Sequence, residues 1–155
     1  MNYEECFARL IGHEGGLVNN PADKGGLTNF GISQRSYPNE DIAAMTLERA
    51  QAIYLRDYWG PAGCGSMPDG ARLQVFDMAV NSGVGAAVRA VQRAVGTAPD
   101  GTFGPITLQA LQAMQPARFI ARFNAQRLIL MAGLSTWQTF GRGWVLRVAD
   151  QLMEA

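Results

Sequence analysis

Tyr3, Cys6, Phe7, Leu10 and Ile11 recur in steps of three and four, the spacing of one helical face, and predict an amphipathic helix over residues 2–14. The same stepping reaches Glu14, which puts a carboxyl group on the apolar face just before Gly15 and Gly16 end the helix. From Leu17 to Ile32 the helical period is lost. Glycines, Pro21 and the Asn19, Asn20 and Asp23 cluster favour turns around short β-type stretches such as LTNFGI, so a small irregular β hairpin is expected there. Thr46 is placed to cap a helix running to about Tyr58, and GPAGCGSMPDG supplies a loop. Leu73, Phe76, Val80, Val84, Val88, Val91 and Val95 trace a long apolar stripe, with a break expected near Ser82 and Gly83. Pro105 and Pro116 suit the first turns of helices ending near Met114 and Met131, and Trp137 to Met153 forms the last. The pattern describes a mainly α chain of the α+β type, with its one β element close to the first helix.

Composition narrows this picture. A chain of 155 residues with 48% hydrophobic and 17% charged residues has enough apolar material for one compact core. No apolar run approaches the roughly 20 residues that a bilayer-spanning helix needs, and MNYEECFARL lacks the order of a secretory signal. We therefore expect no membrane insertion. Cys6 and Cys64 have no metal-ligand spacing, which leaves either two reduced, partly buried thiols or a disulfide between them, and no metal site. Thirteen bases balance thirteen acids, so a dedicated nucleic-acid binder is not expected. The charge is unevenly spread: residues 1–77 carry a net −4 and residues 78–155 a net +4, and every base in the second half is arginine. This asymmetry serves either pairing between the halves or attraction to an anionic polymer such as a cell wall.

Glu14 is the first candidate for chemistry, because a carboxyl held against apolar surface without a cation is hard to ionise and can act as a general acid. Asp23 follows nine positions later and Thr28 five after that, in the turn-rich segment. Glycosidic bond cleavage uses one acid to protonate the leaving oxygen and a second carboxylate to activate water or stabilise positive charge. Glu14 and Asp23 in unlike surroundings fit those roles, and the Thr28 hydroxyl could hold the water; Asp23 also fits an ordinary Asx turn. Asp77 and Asn81 are four apart on one helical face, either lining a cleft floor or forming a cap and a buried hydrogen bond where the helix breaks. Trp59, Trp137, Trp144, Tyr54 and Tyr58 are available for sugar stacking or for the core, with Tyr58 taken as the candidate sugar contact. His13 lies beside Glu14 in sequence, but neighbouring helical residues point about 100° apart, so no dyad is expected.

HEGG at 13–16, followed by LVNNPADKGGLTNFGI, resembles the N-terminal signature of the glycoside hydrolase 108 family of N-acetylmuramidases, which includes phage endolysins and muramidases that assist toxin secretion. FDMAVNSG at 76–83 and FGRGWVLRV at 140–148 are similar to the family's central and C-terminal helices. The order of Glu, Asp and Thr also resembles that of phage-type lysozymes, although here only four residues separate Asp23 from Thr28. The resemblance implies a lysozyme-like fold, Glu14 as the catalytic acid, peptidoglycan glycan strands as substrate and no cofactor. VQRAVGTAPDGTFGPITLQAL at 91–111 looks like the DGxxGPxT core of peptidoglycan-binding modules, and equally describes a turn into a helix. The expected organisation is a catalytic region over 1–92 and a helical, predicted peptidoglycan-binding region over 93–155 packed onto it as one unit. Such a chain would be made in the cytoplasm and act in the periplasm or wall after release, through a holin hole or a secretion system. The rival readings are a non-catalytic wall-binding or secretion-assisting protein and a glycosidase acting on chitin or chitosan. Oligomeric state is not legible.

Overall fold

A computed structural model describes residues 1–12, 16–19 and 26–155 of the chain. Glu14, Asp23 and His13 lie outside the described residues. The elements run α1 (Tyr3–Ile11), β1 (Val18–Asn19), β2 (Leu27–Asn29), β3 (Ile32–Ser33), α2 (Leu47–Tyr54), α3 (Asp69–Ser82), α4 (Val84–Val95), α5 (Pro105–Gln112), α6 (Pro116–Ala132) and α7 (Trp137–Met153). A π-helical turn, Leu55–Trp59, prolongs α2, and a short 3₁₀ turn, Cys64–Ser66, precedes α3.

Local chemistry explains the helix ends. Asn2 and Glu5 form a reciprocal capping box at the start of α1. Gly12 then ends the helix with φ at 65° and its N–H on the Ala8 carbonyl. The helix is therefore shorter than the expected 2–14, because Gly12 supplies the break ahead of Gly15 and Gly16, and the count that carried the apolar face on to Glu14 does not run along a continuous helix. Thr46 caps α2 by accepting from the Arg49 N–H, and Pro105 and Pro116 occupy the first turns of α5 and α6. Gly83, with φ at 89°, separates α3 from α4 where the break was expected.

The three short strands form an antiparallel sheet in the order β1-β2-β3. Pairing of Thr28 with Ser33 and of Asn29 with Ile32 leaves Phe30 and Gly31 as a two-residue tip, both at positive φ (49° and 75°). That conformation suits the twist of a tight hairpin. The tip is pinned from α2: Tyr54 donates its hydroxyl to the Phe30 carbonyl at 3.1 Å, and a Cβ added at Gly31 would stand 2.6 Å from that same oxygen.

Helix α3 is the axis of the molecule. Every residue from Leu73 to Ala79 is buried, and α1, α4, α6, α7 and the π turn all pack on it. Around Phe76, the rings of Tyr3, Tyr54 and Trp59 meet it edge-on with centroids 5.3–6.2 Å apart. Trp59 thus belongs to the core. The boundary expected at residue 92 falls inside α4, where buried Gln92 donates to Asp100 Oδ1 at 2.7 Å and accepts from the Gly101 N–H at 2.9 Å. This clamp shapes the DGTFGP turn, and Phe103 in that turn covers Gly63, where a Cβ would meet its ring at 2.5 Å. No helix among the described residues is long and apolar enough to cross a membrane.

Cys6 and Cys64 are buried free thiols. Burial pushes the Cys6 thiol from 9.0 up to about 11 and raises that of Cys64 as well. A thiol that stays neutral in the fold but ionises in the unfolded chain contributes its full stability below pH 9.0 and loses it as pH rises through about 11. The native protein should therefore resist iodoacetamide while the urea-unfolded protein takes two alkyl groups by mass, and its melting temperature should fall between pH 9 and 11. Rapid alkylation of the folded protein at pH 8 would contradict this burial.

Candidate active-site groove

The end of α1, the hairpin tip, the C-terminal half of α3 and α7 enclose three adjoining cavities. The first, of about 340 Å³, is lined by Leu10 and Ile11 of α1, Phe30 and Gly31 of the tip, Tyr54, Val80, Asn81 and Arg147. A larger one, of about 560 Å³, continues between α1 and α7 past Leu10, Arg147, Trp144 and Asp150. A smaller recess of about 170 Å³ opens between the ends of α3 and α6 and shares Asn81, Trp144 and Arg147. Arg147 lines all three.

Asp77 organises the groove floor. It is 2% exposed on the face of α3 that meets α6 and α7. Its Oδ2 accepts from Arg127 Nη2 at 2.6 Å; its Oδ1 accepts from Arg147 Nε at 2.8 Å, from Arg147 Nη2, and from Asn81 Nδ2 at 3.1 Å. Arg127 is fully buried, and desolvation holds its pKa below the usual arginine range against the pull of Asp77. Arg127 also donates to Gln151 Oε1 at 2.8 Å and to Asn124 Oδ1 at 3.3 Å, and Asn124 in turn donates to Gln74 Oε1 at 2.6 Å. This polar network ties α6 and α7 to α3. It also realises the pairing between acidic and basic halves of the chain that the charge asymmetry allowed, with the Arg9–Glu154 pair linking the opposite way.

The candidate residues separate accordingly. Asn81 is exposed and lines the groove, its amide N–H groups donated to the Asp77 carboxylate and main-chain carbonyl, and its side-chain oxygen has no partner among the described residues. Asp77 lies beneath it with both oxygens occupied by Arg127, Arg147 and Asn81, and reaches only the smaller recess. Thr28 sits in β2, two residues before the tip, and donates to the Gly26 carbonyl at 3.5 Å. Tyr58 stands behind Tyr54, with ring centroids 5.4 Å apart, and does not line these cavities; Tyr54 does. Burial, reinforced by Tyr58, raises the Tyr54 phenol to about 12, so it serves as a neutral donor. No cluster of metal-ligating side chains occurs among the described residues.

Arg147 escaped sequence reasoning, though a signal for it existed. Asp77 falls within the apolar stripe of α3, and a carboxylate there requires a cation; the second half of the chain offers only arginines.

Comparison with known proteins gives a family and a fold. Residues 7–83 match the family described as Glycosyl hydrolase 108. The fold matches the solved structure of SagA from Brucella abortus with a TM-score of 0.85 and 32% sequence identity, covering 98% of this chain and 92% of that one. A comparison with curated proteins returns no match.

Removing Asp77 strands a buried guanidinium, so Asp77→Ala should lower the unfolding free energy by about 3–5 kcal/mol. Asn81→Ala, which deletes an exposed amide, should cost less than about 1 kcal/mol. Urea denaturation followed by circular dichroism measures both; equal, small losses would show that the network carries no weight.

Proposed function

Because the chain belongs to the glycosyl hydrolase 108 family, we propose that this glycoside hydrolase is an N-acetylmuramidase, cleaving the β-1,4 bond between N-acetylmuramic acid and N-acetylglucosamine in bacterial peptidoglycan. The observation that carries the reading is the groove opening where α1 ends: Ile11 lines it, and Glu14 follows three residues later, within a chain reach of about 11 Å. Leu10, Ile11, Phe30 and Val80 give that end of the groove an apolar wall. Dry surroundings of this kind, rather than an extended helical face, would keep the Glu14 carboxyl protonated near neutral pH.

In the proposed mechanism Glu14 protonates the leaving glycosidic oxygen. Asp23, in the connection between β1 and β2, activates water or stabilises the oxocarbenium-like transition state, and the Thr28 hydroxyl orients that water. Asn81 binds sugar hydroxyl or N-acetyl groups in the groove. The region over 93–155 is proposed to add contacts to the wall polymer through its arginine-rich surface. The enzyme would reach its substrate in the periplasm or cell wall after release from the cytoplasm, in a phage or prophage setting.

Purified sacculi test the reading. The protein should release fragments whose new reducing end is N-acetylmuramic acid, identified by mass spectrometry after borohydride reduction. Glu14→Gln should lose on the order of 10²–10⁴ of the rate and Asp23→Asn a smaller part, with melting temperatures unchanged. Full activity in Glu14→Gln would remove the assigned acid. Binding to sacculi without new reducing ends would favour a wall-binding protein, and cleavage of chitooligosaccharides alone would favour a chitinase-type enzyme.

A further inference from the structure

Two arginines share one buried carboxylate, and one would have neutralised it. Arg127 is fully buried against Asp77 Oδ2, whereas the Arg147 side chain is 45% exposed against Oδ1. The cluster therefore holds one positive charge more than it needs, and that charge sits where the three cavities meet. Its position is rigidly set, because Nε and Nη2 are both engaged by an oxygen that is itself fixed in the core. The remaining N–H donors of the guanidinium fork have no partner among the described residues and face the groove that Arg147 lines. Asp77 fixes the Asn81 amide from the same oxygen, so a cation and an amide oxygen stand side by side over one buried anchor.

Among the described residues, the acids around the groove leave this charge in place. Glu154 is taken by Arg9, and Asp150, three residues beyond Arg147 on α7, forms no ion pair among the described residues. Trp144, one turn before Arg147, supplies an aromatic wall to the larger cavity and the recess. A groove of mixed polar and apolar lining, in which Arg9 is neutralised by Glu154 and the Arg147 guanidinium is the cation in excess, suits a sugar strand carrying a carboxylate, and offers a neutral strand nothing for that cation.

We propose that Arg147 is the specificity-determining residue of the groove, receiving a carboxylate carried on the muramyl side chain, with Asp77 as its positioning residue. The proposal rests on the glycan-cleaving reading above and deepens it. It selects acidic strands over neutral polymers of N-acetylglucosamine. The carboxylate belongs either to the lactyl ether itself, where no peptide is attached, or to the stem peptide.

Glycan strands stripped of stem peptides by an amidase, the same strands with carboxyls converted to methylamides, and peptide-bearing strands treated both ways make the test. Wild-type protein, Arg147→Gln and Arg147→Lys are compared by kcat/KM from new reducing ends. Wild type should lose roughly tenfold to a hundredfold on methylamidation. Arg147→Gln should lose a similar factor on unmodified strands, mainly through KM, and should no longer distinguish the two forms; Arg147→Lys should recover part of the discrimination. An effect confined to peptide-bearing strands assigns the carboxylate to the stem peptide, and an effect on stripped strands assigns it to the lactyl group. If wild type cleaves the strands without discriminating, or Arg147→Gln discriminates as wild type does, the inference fails while the muramidase reading stands. If wild type cleaves no strand, both fail. Should Arg147→Gln not fold, wild-type discrimination together with Arg147→Lys decides.

Discussion

A carboxylate buried in the central helix is the constraint on which the rest of this structure depends. Asp77 is enclosed by α3, α6 and α7, and burying its charge is tolerable only because Arg127 and Arg147 reach it from two different helices. Such a cluster adds little net stability compared with apolar packing, yet breaking it is expensive. Its effect is to restrict how the second half of the chain can dock on the first. Gln74, Asn124 and Gln151 extend the same restriction with neutral hydrogen bonds, so one register of α6 and α7 on α3 brings these partners together, with Arg127 Nε the one buried side-chain donor left unpartnered among the described residues.

That register builds the groove. Its walls come from elements far apart in sequence: the end of α1, the tip between β2 and β3, Tyr54 at the end of α2, Asn81 of α3, and Arg147 of α7. The tip is held by the Tyr54 hydroxyl and depends on Gly31, because any Cβ there would strike that oxygen. The apolar end of the groove lies beside the exit of α1 and the cationic centre lies over Asp77. One groove thus offers an apolar wall where the proposed proton donor would enter and a fixed positive charge where the proposed anionic substituent would bind.

Much of this was legible in the chain. Periodicity and caps located α4 to α7 closely, because Pro105, Pro116 and Gly83 are strong local signals whose effect does not depend on distant partners. A small hairpin near LTNFGI is legible from the turn residues around it, but the tip at Phe30 and Gly31 falls inside a stretch that reads as continuous strand. The end of α1 was misplaced because Gly12, Gly15 and Gly16 are equivalent breakers by composition, and only backbone geometry selects the first. The π-helical turn at Leu55–Trp59 carries no distinctive local pattern and extends a helix expected to remain α-helical to about Tyr58. Asp77 and Asn81 were correctly grouped on one face, but periodicity names a face and not a partner. Only the packing of α7 shows that Asp77 is buried and reaches just the recess while Asn81 is exposed in the groove, and that Arg147 stands beside them.

A glycan strand is proposed to lie in the groove between the α1 exit and Arg147. The most direct measurement is an NMR titration of Glu14→Gln protein, in which the proposed acid is removed, with a muramyl-containing tetrasaccharide, following the Asn81 side-chain amide, the Arg147 Nε–H and the amides of Phe30 and Gly31. Saturable shifts concentrated on those signals are the expected result. Shifts confined to the outer face of α7 around Trp137 and Arg142, with the groove signals unmoved, would contradict it.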